Sequence, residues 1–150
     1  METLNCKEKQ REENCNSDPY LIEPDSFTGL NNLRRLNFTR NNLWTVPPGT
    51  FCGLKSLTSL NLSSNFLQDL SDLGFGISGP GGSMERPCPA LPLTTLDVSL
   101  NGLSKMVAGA LGQLSNLKSL FLEGNTLAVL DDSAFQVGSQ DFVPCLLFHG

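Results

Sequence analysis

One pattern, LxxLxLxxNxL, occurs four times in a chain of 150 residues, and no other feature restricts the available folds so tightly. The copies are LRRLNFTRNNL from Leu33, LTSLNLSSNFL from Leu57, LTTLDVSLNGL from Leu93 and LKSLFLEGNTL from Leu117. Successive starts lie 24, 36 and 24 residues apart. A partial copy precedes them, with Ile22, Phe27 and Leu30 one period before Val46, Phe51 and Leu54. A unit this short cannot bury its apolar side chains alone, so the copies must stack on one another.

Each position has a mechanical reason. Alternation within LxL predicts a short strand, with Leu36 and Phe38, Leu60 and Leu62, Leu96 and Val98, and Leu120 and Leu122 turned inward. Stacked copies then place these strands side by side in parallel. The chain must turn sharply after each strand, and Asn41, Asn65, Asn101 and Asn125 can satisfy backbone groups there, because one amide carries both donor and acceptor. An asparagine ladder is expected. Phe51, Phe75 and Phe135, with Leu111 standing in once, fill the far side of each coil.

The pattern is that of the leucine-rich repeat. It implies an α/β leucine-rich repeat solenoid, with short parallel β-strands on the concave face, irregular or 3-10 segments on the convex face, and one inserted loop. The repeat domain runs over 19–137, with an insert at 76–87 that turns a spacing of 24 into 36. Its glycines and prolines, GISGPGGSMERP, suit an excursion that leaves the strand stack unbroken. Residues 1–18 are poorly patterned and lack the apolar strand that would cover Phe27 and Leu30. In the tail, 138–150, the frame asks for leucine at 138 and 141 and finds Gly138 and Asp141. That tail reads as aberrant, either a divergent last turn or translation into an intron.

Composition narrows the function. A formal charge of −5 gives no general attraction for phosphate backbones, so no nucleic-acid partner is expected. No stretch approaches the roughly 20 apolar residues of a membrane-spanning helix, and the charged N-terminal segment shows no signal peptide. Nor are the materials of catalysis present. His149 is the only histidine, the cysteines and histidine lack zinc spacing, and GPGG at Gly79 lacks the GK[ST] ending of a phosphate loop. The expectation is a binding protein, not an enzyme, with no cofactor and no metal.

The phrase NLWTVPPGTFCGLKSLTSLNLSSNFLQDLSDLGF, from Asn42 to Phe75, resembles the ectodomains of the Toll and Toll-like receptor family, of the invertebrate Toll type. The likeness covers residues 20 to 136. It implies a curved extracellular module that binds a protein or microbial ligand, or a second receptor chain, in innate immune or developmental signalling. In that family a single membrane helix and a cytoplasmic TIR domain carry the signal, so the expected location is the extracellular face of the plasma membrane within a parent receptor. Neither segment occurs in this sequence.

Cysteines and sequons bear on the same question. Cys52 and Cys88 lie five residues before Leu57 and Leu93, which makes them equivalent positions in adjacent coils, close enough for a disulfide. Two separate buried thiols are the competing reading. Cys6 with Cys15 is a weaker pair, and Cys145 is left over. NFT at Asn37 and NLS at Asn61 are glycosylation triplets in the same outward strand slot of neighbouring coils. The remaining outward positions offer Arg34, Arg35 and Arg40 as an acidic-ligand patch, Phe121 as an exposed apolar contact, and Asp97, Lys118 and Glu123 as further contacts. Solvated charge serving only solubility is the plainer account of the same residues. The rival class is an intracellular leucine-rich scaffold that bridges cytosolic proteins.

Overall fold

A leucine stands at the centre of every strand of the main sheet. The computed structural model describes residues 3–5, 22, 26–47, 49–69, 90–106, 111, 114–130 and 145–147. Its strands are β1 (Thr3–Asn5), β2 (Arg35–Asn37), β3 (Ser59–Asn61), β4 (Thr95–Asp97), β5 (Lys105–Met106), β6 (Ser119–Phe121), β7 (Val129–Leu130) and β8 (Cys145–Leu147). Six of them form one open parallel sheet in the order β1-β2-β3-β4-β6-β8. Across it Leu4, Leu36, Leu60, Leu96, Leu120 and Leu146 pair in register. β5 and β7 form a second, two-stranded parallel sheet after the turn.

Parallel neighbours follow from the coil. Each strand is reached only after the chain has passed once round the core, so it arrives pointing the same way. The eight inward side chains expected from the alternation are all buried, together with Leu57, Leu93 and Leu117, which open their repeats. At roughly 1.5–3 kcal/mol for each fully buried Leu or Phe, the stacked interior is the main stabilising term. On the far side Phe51 and Leu111 are buried, and Phe27 stacks on Phe51 with ring centroids 6.0 Å apart while meeting Phe38 edge-on at 5.7 Å. Phe75 and Phe135 lie outside the described residues. The convex path is made of tight turns closed by bonds such as Leu54 N–H to Phe51 C=O and Leu114 N–H to Leu111 C=O, and no helix occurs among the described residues.

The uneven repeat spacing leaves the strand register untouched. Thr58 Oγ1 donates to the Arg34 carbonyl 24 residues earlier, and Thr94 Oγ1 donates to the Thr58 carbonyl 36 residues earlier. The two bonds are equivalent. The insert at 76–87 lies outside the described residues, yet β3 and β4 pair as β2 and β3 do.

Both ends of the sheet depart from the sequence pattern, which assigns no strand to 1–18 or to 138–150. β1 adds to β2, and β8 adds to β6 with Cys145 opposite Ser119, two residues later than a 24-residue frame would place it. The reason is physical. An edge strand presents unpaired N–H and C=O groups that any extended segment can meet, whether or not its side chains obey the repeat.

Candidate recognition surface

The turn that follows each strand is built around the asparagines. Asn65 donates to the carbonyls of Leu62 (2.8 Å) and Ser63 (3.3 Å) in its own coil and of Phe38 (2.9 Å) in the coil before. Its Oδ1 accepts from the N–H groups of Asn41 and Leu43, each at 3.0 Å. Asn101 likewise donates to Val98, Ser99 and Leu62 and accepts from Leu67. Asn125 donates to Leu122 and Val98 and accepts from Leu103. Among the described residues Asn41 donates to Thr39 C=O, within its own coil. Each later asparagine therefore ties two coils together.

The residue before each of these asparagines is left-handed. Arg40, Ser64 and Leu100 have φ of 59°, 56° and 53°, and Gly124 has 69°. Three non-glycine residues hold a conformation that costs a side-chain-bearing residue roughly 1–2 kcal/mol. In return the turn orients their N–H groups onto the next coil, as in Arg40 to Ser63 C=O (3.1 Å) and Leu100 to Glu123 C=O (2.7 Å).

On the outer face of the sheet two rows run across the strands: Arg35, Ser59, Thr95, Ser119, and Asn37, Asn61, Asp97, Phe121. The second row is knitted together. Asn37 Oδ1 accepts from Thr39 N–H at 2.9 Å, and Thr39 Oγ1 lies 2.6 Å from Asn37 Oδ1 and 3.0 Å from Asn61 Oδ1. Asn61 accepts from Ser63 N–H and donates from Nδ2 to Asp97 Oδ2 at 3.2 Å. Asp97 Oδ1 accepts from Ser99 N–H and Ser99 Oγ. NFT, NLS and DVS thus make one kind of strand-ending Asx turn, and only the first two are sequons. The triplets have a structural use independent of any glycan.

Arg34, Arg35, Arg40, Lys118 and Glu123 are exposed, while Asp97 is half-buried. Phe121 departs from expectation: it is half-buried rather than exposed, because β8 lies alongside it on the edge that the sequence pattern leaves open. Arg34, Arg35 and Arg40 make no ion pair among the described residues, where the pair between Lys105 and Asp69 (3.5 Å) lies coils away. Cys52 is disulfide-bonded, and its expected partner Cys88, like Cys6 and Cys15, lies outside the described residues. No metal-binding group of acidic, cysteine and histidine side chains occurs among the described residues.

Sequence reasoning missed a separate feature. Trp44, Phe66 and Leu100 are 50%, 46% and 57% exposed, and Trp44 stacks on Phe66 with centroids 5.2 Å apart and planes at 25°. All three stand within three residues of a ladder asparagine. A signal was available: they are large apolar residues at positions the repeat leaves variable.

A family model described as leucine rich repeat matches residues 14–67. With the parallel open sheet and the stacked coils, the fold is decided.

The chain is a leucine-rich repeat solenoid.

Solved solenoids with similar coordinates include the leucine-rich repeat domain of APL1B, 27% identical over 73% of this chain with a TM-score of 0.55. Toll in the Drosophila Toll–Spatzle complex is 25% identical over 78% of this chain, with a TM-score of 0.62. TLR13 in its complex with ssRNA13 is 22% identical over 89% of this chain, also at 0.62, and shows likeness of fold. This chain spans 29%, 14% and 18% of those three chains respectively. The expected exclusion of nucleic acid gains no support from them, since one solenoid of this fold is seen with an RNA. No helix among the described residues is long and apolar enough to cross a membrane.

Proposed function

We propose that this solenoid is an extracellular recognition module, one arc of a Toll-type receptor ectodomain, which binds a protein or microbial ligand or a second receptor chain in innate immune or developmental signalling. It works by surface contact and performs no chemistry of its own. The observation that carries the reading is the contrast between the two faces of one sheet. Inward, β2, β3, β4 and β6 repeat leucine; outward, the same strands change from Arg35 and Asn37 to Ser119 and Phe121. A surface that varies on an invariant frame is suited to recognition.

The extracellular part of the reading is supported by the disulfide at Cys52, by the sequons at Asn37 and Asn61, and by the likeness to Toll. Disulfides persist in oxidising compartments and are rare in the cytosol. The test is secretion from insect cells behind a supplied signal sequence, followed by thiol titration and mass spectrometry. Three or fewer free thiols among the five cysteines, with glycan on Asn37 or Asn61, fit the receptor arc. Five free thiols and bare asparagines would instead favour an intracellular scaffold.

A further inference from the structure

We propose that the flank carrying the stacked Trp44 and Phe66, with Arg40 in the turn before them, is a docking site for an acidic protein segment that presents an apolar side chain between carboxylates. The proposal rests on the reading of the solenoid as a recognition module and places its contact off the concave sheet.

Three observations meet there. The exposed aromatic side chains Trp44 and Phe66 come from successive coils and stack with centroids 5.2 Å apart. Single exposed apolar residues are ordinary, but a cluster is the mark of an interaction site. Next, Arg40 is exposed and makes no ion pair among the described residues. Arg40 stands in the turn that leads to Trp44, so positive charge lies close in sequence to the aromatic pair. Finally, the turn is rigid: its backbone is held by Asn65 and by the bond from Phe66 N–H to Leu43 C=O at 2.8 Å. Ordering such a site on binding costs little entropy. Tryptophan, aromatic and arginine side chains on a fixed backbone are the residues that dominate protein interfaces.

A protein segment fits better than a nucleic-acid strand. Trp44 and Phe66 turn ring faces toward each other instead of leaving both open for bases. The chain's net charge of −5 also opposes a polyanion at long range, while a short acidic segment meets mainly Arg40.

The test is selection of random 12-residue peptides displayed on phage against the immobilised, disulfide-intact chain. Selected peptides should be enriched in Asp and Glu around a Leu, Phe or Tyr. Their affinity should fall about tenfold or more in Trp44→Ser and in Arg40→Gln, and hold in Phe121→Ser on the sheet. Because Trp44 is the only tryptophan, its emission should shift when a selected peptide binds. Circular dichroism establishes that each variant is folded. Peptides without acidic enrichment, or equal binding by Trp44→Ser, overturn the proposal. Loss in Phe121→Ser alone overturns it while leaving recognition by the solenoid intact. Tighter binding of a single-stranded RNA 13-mer, competing with the peptides, overturns it in favour of nucleic acid. A selection that enriches nothing counts against both this site and the recognition reading.

Discussion

Leu100 lies over Gly124: a Cβ built on Gly124 would stand 2.5 Å from Leu100 Cδ2. The two residues hold the same left-handed place in consecutive coils, with φ of 53° and 69°. Gly124→Ala therefore meets a backbone penalty and a clash together, and should lower stability by about 1–2 kcal/mol in urea denaturation. In a Leu100→Ala background the clash is gone and the backbone penalty remains, so the same change should cost less. An equal cost in both backgrounds would show that contact to be irrelevant.

The asparagines at the turns should differ sharply in importance. Asn65→Ala leaves buried groups of two coils without partners, among them Leu43 N–H and the Phe38 carbonyl, and should cost about 3 kcal/mol or more. Asn41→Ala loses, among the described residues, one side-chain donation within its own coil and should cost less than about 1.5 kcal/mol. Thermal melts of the two variants read the difference directly.

Asn61→Asp places a second carboxylate beside Asp97, since Asn61 Nδ2 now donates to Asp97 Oδ2 at 3.2 Å. Like charges directly opposed on neighbouring strands are destabilising by up to about 1 kcal/mol. The loss should shrink in 1 M salt, where screening reaches only about 3 Å. Asn37→Asp, whose amide nitrogen makes no hydrogen bond among the described residues, should show a smaller, less salt-sensitive effect.

Removal of the disulfide at Cys52 should be costly. Cys52→Ser is expected to lose roughly 2–4 kcal/mol, and reductant should lower the unfolding midpoint of the unaltered chain but not of the variant. Peptide mapping without reduction should recover Cys52 joined to Cys88. A link to any other cysteine would end the assignment of these two as stacked equivalents.

The inward leucines, the turn asparagines and the parallel strands were legible because they repeat. A position occupied by the same residue type in four copies reports a constraint that local chemistry explains: alternate burial, or a turn with carbonyls to satisfy. The insert was legible for the same reason, as a break in period that the paired Thr58 and Thr94 bonds bridge without loss of register. β1 and β8 were not, because each offers one in-register leucine, Leu4 or Leu146, in a three-residue strand too short to show the period by itself.

By itself, then, the sequence determined a stacked coil with a leucine interior and an asparagine turn. Only the tertiary structure decided what the variable positions do. It joined Asn37, Asn61 and Asp97 into one hydrogen-bonded row, half-covered Phe121 with β8, and stacked Trp44 and Phe66 from successive coils into one exposed pair. The reason is that burial follows from periodicity within one coil, whereas surface neighbourhoods arise between coils, from residues tens of positions apart that no local pattern relates.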